Sequence, residues 1–149
     1  MTIYAHTDGA SRGNPGESGI GVVLRNEAGQ VLQSISAYIG STTNNVAEYT
    51  ALIECLKKAL KANCTKLIVN SDSELIVRQV QGRYRVRDAN LKKYYETVRR
   101  HLASAPFKFE IRYVPREQNR DADLLANSGI DSKSPKLRWS IRAQDEKKV

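Results

Sequence analysis

The stretch 66–74 reads Lys-Leu-Ile-Val-Asn-Ser-Asp-Ser-Glu, a short apolar run followed at once by residues that favour the start of a helix. A nearly continuous apolar run of this length is typical of a strand that is buried on both faces. A buried strand that leads directly into a helix predicts parallel pairing within an α/β sheet. The parallel part of the fold is therefore predicted from these nine residues.

The residues before this stretch predict antiparallel strands. Alternating or apolar runs occur at 3–8, 19–25 and 30–39, and turn residues separate them. The first turn is Gly13-Asn-Pro-Gly and the second is Asn26-Glu-Ala-Gly. We expect these strands to form an antiparallel opening to the sheet.

The residues after it predict helices and one more strand. Apolar residues that recur every three or four positions indicate helices over 45–62, 88–103 and 119–131, and a shorter helix continues from 71 to 81. The last strand is predicted over 108–114. The predicted fold class is α/β, with a mixed five-stranded sheet of three antiparallel N-terminal strands followed by parallel strands, flanked by helices.

Length and composition fit one domain. The chain has 149 residues, and 40% of them are hydrophobic, which is enough for a single core. We place the folded domain at 1–131. The tail at 132–149 is either loose or docked through Trp139, the centre of its one apolar patch.

The charge balance indicates a polyanionic partner. The chain carries 24 Lys and Arg against 16 Asp and Glu, a net charge of +8. Nucleic acid is the first candidate for the partner and an anionic membrane the second. Segment 78–100 holds eight of the basic residues and two acids, so most of the surplus lies there. A solvated helix face is the alternative interpretation of that segment.

Targeting signals and cysteine chemistry give no sign of another compartment. The sequence contains no apolar run of transmembrane length and no signal peptide, so we expect a cytoplasmic protein. Cys55 and Cys64 fit neither a disulfide framework nor a zinc site, which needs more ligands. His6 and His101 have no partner pattern and are expected to be structural or exposed.

Four acidic residues are the candidate functional residues. Asp8 and Asp72 are placed at the ends of predicted strands, and Glu48 and Asp123 in the first turns of predicted helices. The strand ends of an α/β sheet are where ligands gather, and the helix acids can point back to the same edge. Carboxylates brought that close repel one another and need cations, for which Mg²⁺ is suited. Taken singly, each acid could instead serve a turn or a helix start; Glu48 could complete a capping box with Asn45.

These residues resemble the signature of the type 1 ribonuclease H family. The resemblance covers roughly residues 2–130 as an ordered set of motifs. In this chain the motifs read Thr7-Asp8-Gly9, Gly13-Asn14-Pro15-Gly16, Thr43-Asn44-Asn45, Glu48, Asp72-Ser73 and Asn119-Arg-Asp-Ala-Asp123-Leu-Leu-Ala126. The resemblance implies an endonuclease that hydrolyses the RNA strand of an RNA/DNA hybrid, without sequence preference, within the domain at 1–131.

The resemblance also implies a ligand set. It assigns two Mg²⁺ or Mn²⁺ ions to the carboxylates of Asp8, Glu48, Asp72 and Asp123, with Asp8 as the bridging ligand. Asp121 is the alternative to Asp123, but the motif Asp-x-Leu-Ala matches only from Asp123. Residues two apart on a helix point in nearly opposite directions, so both cannot serve.

Substrate contacts follow from the same resemblance. Asn14, Asn44 and Asn45 are assigned to the 2′-hydroxyls of the RNA strand, and Thr43 to a phosphate of the DNA strand. Turn and cap chemistry is the alternative role for these side chains. The basic segment 78–100 looks like a shortened form of a protrusion that some relatives lay on the DNA strand.

The chain departs from the family pattern in one loop. Many relatives carry a histidine just before the last helix, whereas 114–119 reads Val-Pro-Arg-Glu-Gln-Asn. Arg116 or Glu117 is the available substitute, and Arg116 is also a candidate substrate contact. His101 lies inside a predicted helix and cannot replace the missing histidine.

Two other functions remain open on the sequence. One is a hybrid- or duplex-binding module of the same fold without catalysis, against which the four intact acids argue. The other is a DNA-acting nuclease of the same fold superfamily, against which the asparagine motifs argue. Double-stranded RNA is a possible further substrate, and the expected state is a monomer with no membrane partner.

Overall fold

The fold is a five-stranded sheet covered by helices, and the computed structural model describes residues 1–133 of it. The strands are β1 (Thr2–Gly13), β2 (Gly16–Arg25), β3 (Val31–Thr42), β4 (Lys66–Ser71) and β5 (Lys108–Tyr113). The helices are α1 (Asn44–Lys61), α2 (Glu74–Val80), α3 (Ala89–Ala103) and α4 (Arg120–Ser132), with a 3₁₀ turn at Arg116–Gln118.

The strand order is β3-β2-β1-β4-β5, with β1 in the centre. β1 pairs antiparallel with β2 and parallel with β4, while β3 and β5 form the edges. The predicted fold class is confirmed, since three antiparallel strands are followed by two strands that run parallel to β1. Among residues 1–133, the change from antiparallel to parallel pairing therefore occurs along β1 itself.

Helices cover both faces of the sheet. α1 packs on β1 and β2 and carries α3 on its outer side, whereas α4 packs mainly on β2 and β3. Adjacent residues of β1 show that these are opposite faces: Gly9 touches the backbone of α1, while Asp8 is paired with Gly21, which touches the backbone of α4. The main apolar core lies between the sheet and α1, and Tyr49, Leu52 and Leu56 of α1 are fully buried there.

The first hairpin is longer than the sequence predicted. β1 continues from Asp8 to Gly13 and pairs with β2 as far as Gly13 opposite Gly16. Asp8 therefore lies inside a strand, and the placement at the end of the strand is wrong. β4 stops earlier, because the last parallel pair joins Thr7 to Ser71. Asp8 is thus the first residue of β1 that no neighbouring strand covers on the β4 side.

Two predicted helix starts also need correction. The N-cap of α1 is Thr43, whose hydroxyl accepts a hydrogen bond from the Val46 N–H at 3.3 Å. Asn45 lies inside the helix, so the capping box of Asn45 and Glu48 is wrong. The N-cap of α2 is Ser73, because Ser71 still belongs to β4.

The remaining expectations concern thiols, membranes and the tail. Cys55 and Cys64 are free and buried, as expected. No helix of the described range has both the length and the apolar character needed to cross a bilayer. Trp139 and the tail beyond Lys133 lie outside the described residues, so the expectation of a loose or docked tail stays a prediction.

Candidate active site

Asp8 lies at the centre of an acidic cluster. Its side chain projects from β1 beside the end of β4, and the residue is only 6% exposed. Burial is the largest cause that raises the pKa of Asp8 well above its usual range, and the neighbouring charges of Glu48 and Asp72 raise it further. A buried carboxylate in this position is costly to ionise unless a cation joins it.

Glu48 reaches the cluster from α1. Its Oε1 accepts a short hydrogen bond from the Gly9 N–H, which ties the helix to β1 next to Asp8. Gly9 is required for this approach, because a Cβ atom at that position would lie 2.4 Å from the Glu48 nitrogen. Burial raises the pKa of Glu48, and the Gly9 hydrogen bond opposes that shift.

Asp72 follows β4 directly and is half-buried. Its pKa is raised by burial, while hydrogen bonds with Asn119 and Asp8 act in the opposite direction. One ligand atom each from Asp8, Glu48 and Asp72 lie within 4.8 Å of one another. The three carboxylates could therefore hold one cation in common.

Asp123 joins the same cavity from the first turn of α4. Its side chain is 29% exposed and interacts with the Asp8 carboxyl. Asn127 lies one helical turn after Asp123, and its side-chain amide donates to the Asp123 carboxylate at 3.3 Å. This hydrogen bond helps to fix the rotamer of Asp123. Asp123 does not belong to the compact group of three, so the structure places it at one side of the cluster.

The alternative acid, Asp121, points elsewhere. Its carboxylate pairs with the guanidinium of Arg25, the last residue of β2. The choice between the two acids therefore has a geometric reason, since Asp123 lines the cavity with Asp8 and Asp121 does not.

The cluster opens onto a cavity of about 450 Å³. Arg116 lies at its mouth, 80% exposed, with its guanidinium 4.0 Å from the Asp123 carboxylate. An exposed side chain at that distance compensates little of the buried negative charge. The donor set is entirely carboxylate oxygen in an open polar cavity, which is the chemistry that Mg²⁺ and Mn²⁺ prefer.

The asparagines of the predicted substrate site lie beside this cavity. Asn14 is exposed in the β1–β2 turn, and its Oδ1 accepts a hydrogen bond from the Asn44 N–H at 3.1 Å. Asn44 is exposed at the first position of α1 and lines the cavity. Thr43 and Asn45 are partly buried next to it. The turn and the helix start therefore form one continuous surface.

Tyr113 and Asn119 are among the residues at or beside the cavity that had no predicted role. Tyr113 ends β5 and lines the cavity with 45% of its surface exposed. Asn119 is 1% exposed and lies among the strands that carry the acids. Asn119 was visible in the sequence motif, but an asparagine before a helix is indistinguishable from an ordinary cap. Tyr113 gave no signal, because a strand alternates in the same way with or without a neighbouring site.

A family model described as "Reverse transcriptase-like" matches residues 6–129 of the chain. The bifunctional protein Rv2228c of Mycobacterium tuberculosis is 41% identical over 133 residues, which cover 89% of this chain and 36% of that protein. This chain thus spans about a third of the length of the mycobacterial relatives that it matches. A ribonuclease H of Coxiella burnetii is 35% identical over 142 residues, covering 87% of this chain and 90% of the relative.

A solved structure has the same fold as this chain. The crystal structure of LC11-RNase H1 in complex with an RNA/DNA hybrid is 43% identical in sequence and superposes with a TM-score of 0.84. The match covers 87% of this chain and 97% of that chain.

Proposed function

The chain belongs to the type 1 ribonuclease H family, and on that premise we propose that it is an endonuclease that hydrolyses the RNA strand of RNA/DNA hybrids without sequence preference. The observation that carries the proposal is the group of ligand atoms from Asp8, Glu48 and Asp72 within 4.8 Å of one another. Asp123 borders the same cavity. Buried carboxylates in such a group repel one another, so a binding surface without catalysis would have no reason to maintain them.

Asp8, Glu48, Asp72 and Asp123 are the proposed ligands of two Mg²⁺ or Mn²⁺ ions. By analogy with the family, Asp8 would be the bridging ligand, and its carboxyl interacts with those of Glu48, Asp72 and Asp123. Bound there, divalent ions lower the pKa of a water molecule and neutralise charge that develops on the phosphodiester. The role of the carboxylates would be to hold and orient the ions. The Gly9 N–H keeps Glu48 turned towards the site.

Recognition of RNA is assigned to the surface at Asn14, Thr43, Asn44 and Asn45. Carboxamide and backbone groups can both donate to and accept from a 2′-hydroxyl, which is the group that distinguishes RNA from DNA. The hydrogen bond between Asn14 and the Asn44 N–H supports this role, because it holds the two asparagines in a fixed relation. Thr43 is assigned to a phosphate of the DNA strand.

Arg116 takes the place of the missing loop histidine at the cavity mouth. Its exposed guanidinium lies where an incoming phosphodiester would meet the carboxylates, and we assign it to substrate contact. A guanidinium presents its N–H groups in a planar fork that matches a phosphate, so Arg116 is assigned to orienting the substrate.

The proposed function extends to the oligomeric state, the compartment and the substrates of the protein. We propose a monomer that acts in the cytoplasm on hybrids, with double-stranded RNA as a possible second substrate. The basic surplus of the chain, +8, supports a nucleic-acid partner over a membrane.

The test uses end-labelled RNA/DNA, DNA/DNA and RNA/RNA duplexes with Mg²⁺, Mn²⁺ or EDTA. We expect cleavage of the RNA strand of the hybrid with 5′-phosphate and 3′-hydroxyl ends, and none in EDTA. Asp72→Asn should abolish it, whereas His101→Ala on α3 should retain it. Binding of the hybrid without any metal-dependent cut would favour the binding module, and cleavage of DNA/DNA would favour the DNA-acting nuclease.

A further inference from the structure

Asn119 occupies the N-cap position of α4 without capping the helix. Asparagine is favoured at this position because its side chain accepts a hydrogen bond from the first turn. Here the Asn119 side chain makes no such bond, and its backbone has φ −123° and ψ 25°. The side chain instead turns into the protein, where the residue is 1% exposed. The Asn119 side chain therefore contributes no capping hydrogen bond to α4, and we look for the function of its amide in its other contacts.

The amide of Asn119 lies against two groups of the acidic cluster and its surroundings. Its Nδ2 donates to the Thr7 carbonyl at 2.9 Å, immediately before Asp8. It also interacts with the Asp72 carboxylate and lowers the pKa of Asp72 against the effect of burial. Rotation of the amide by half a turn would aim Oδ1 at the Thr7 carbonyl oxygen, so Nδ2 faces that oxygen, while the buried Oδ1 has no hydrogen-bond partner among the described residues.

The backbone of Asn119 places a third acid. Its carbonyl accepts the first hydrogen bond of α4, from the Asp123 N–H at 3.1 Å. A single residue thus links β1 beside Asp8, the turn that carries Asp72 and the helix that carries Asp123. These groups come from three separate elements, and the last pair of β1 with β4 joins Thr7 to Ser71, so no β4 residue pairs with β1 at Asp8.

We propose that Asn119 is a positioning residue that sets the mutual geometry of Asp72, Asp8 and Asp123 for divalent-ion binding. It touches no substrate and acts only through the carboxylates. The inference rests on the proposed function, because it assumes that the cluster binds metal. Partners that orient metal ligands typically change metal affinity or activity by about 10- to 100-fold when they are removed.

The experiment compares Asn119→Ala with a matched control, Asn70→Ala. Asn70 is also a buried asparagine, and its Nδ2 donates to the Ala5 carbonyl of β1 at 3.1 Å, yet it bonds no carboxylate of the cluster. Mg²⁺ affinity is measured by titration calorimetry, and melting temperature is measured in EDTA. Cleavage of the hybrid is followed against Mg²⁺ concentration.

We expect both variants to melt at a lower temperature in EDTA, since each loses a buried hydrogen bond. Asn119→Ala should weaken Mg²⁺ binding by about 10-fold or more, while Asn70→Ala should stay within about twofold of the wild type. Cleavage by Asn119→Ala should recover at high Mg²⁺ with an unchanged KM for the hybrid.

Equal Mg²⁺ affinity in Asn119→Ala and the wild type would overturn the inference, and so would an equal loss of affinity in both variants. Asn119→Leu decides the question in the same way if the alanine variant does not fold, because leucine has a similar branched shape, carries no charge and removes the donor. A wild type that binds no Mg²⁺ would refute the metal site of the proposed function itself.

Discussion

Asp8 is the residue at which the conflict between stability and function is greatest. Burial and the charges of Glu48 and Asp72 raise its pKa, so the folded protein without metal holds a proton that the unfolded chain releases near pH 4. For a carboxyl with a raised pKa, the contribution to stability is present at low pH and is lost as the pH rises through the folded-state pKa. The metal-free protein should therefore lose stability between about pH 5 and 8.

Asp8→Asn tests this conflict directly. The amide keeps the size of the side chain and carries no charge, so we expect the variant to melt about 3–6 °C higher than the wild type in EDTA at pH 8. The difference should shrink at pH 5, because the unfolded chain releases the Asp8 proton less completely there and the penalty for keeping it in the folded state is smaller. Mg²⁺ should raise the melting temperature of the wild type and leave that of Asp8→Asn almost unchanged.

Calorimetric melting in EDTA and in Mg²⁺ at the two pH values measures all of these effects. Asp121→Asn is the matched control, because its carboxylate pairs with Arg25 outside the cluster. A variant Asp8→Asn that melts below the wild type at pH 8 in EDTA would contradict the argument.

Gly21 of β2 allows helix α4 to pack closely on the sheet. A Cβ atom there would lie 2.0 Å from the Ala122 carbonyl oxygen, so Gly21→Ala must push α4 off β2. We expect a loss of about 2 kcal/mol or more in the free energy of unfolding, and weaker Mg²⁺ binding because Asp123 moves with the helix. Chemical denaturation and titration calorimetry give the two values.

Gly40→Ala is the control for backbone strain alone. Gly40 has φ +83° and an open environment, so the variant should lose only about 1 kcal/mol and keep its Mg²⁺ affinity. If Gly21→Ala bound Mg²⁺ as tightly as Gly40→Ala, the position of α4 would not govern the site.

The sequence predicted the elements well and their ends less well. Periodicity was sufficient for the helices and for β4, since both patterns are local. The second half of β1, Gly9-Ala-Ser-Arg-Gly, has little apolar character, and only its pairing with β2 makes it a strand. Glu48 likewise looked like half of a capping box, because its hydrogen bond to Gly9 joins residues far apart in the chain. Asn119 was hidden by the same ambiguity.

At the scale of the whole molecule, the folded domain is proposed to need nothing beyond α4. The helix is closed by Lys133, whose N–H donates to the Gly129 carbonyl at 2.9 Å and whose side chain pairs with Glu17. Deletion of 134–149 should therefore shift the melting temperature by no more than about 2 °C. A large fall would instead point to Trp139 as an anchor, and fluorescence of this single tryptophan in the full chain would show whether it is buried.

Most of the surplus positive charge of the molecule lies in the basic segment 78–100. Arg83 and Arg85 lie with Tyr84 in the connection before α3, within the basic segment 78–100. If this segment contacts phosphates, binding of the hybrid should weaken steeply with salt, by a slope of about 0.9 per contact on a logarithmic plot. The double variant Arg83→Ala/Arg85→Ala should then reduce the slope by about two.

The matched control removes the same charge at the end of the sheet that faces away from the acidic cavity. Lys61 ends α1 and Lys108 begins β5, both remote from the acidic cavity, which lies where β4 ends and α1 begins. Lys61→Ala/Lys108→Ala should leave the slope almost unchanged, since distant exposed charges are screened over about 10 Å at 0.1 M salt. Both double variants are made in the catalytically inactive Asp72→Asn background, so that the hybrid is bound and not cut. Their affinity for the hybrid is measured by fluorescence anisotropy between 50 and 200 mM salt, and the two salt slopes are compared. Equal slopes for both double variants would mean that net charge, and not a phosphate-binding face at 78–100, accounts for the salt dependence.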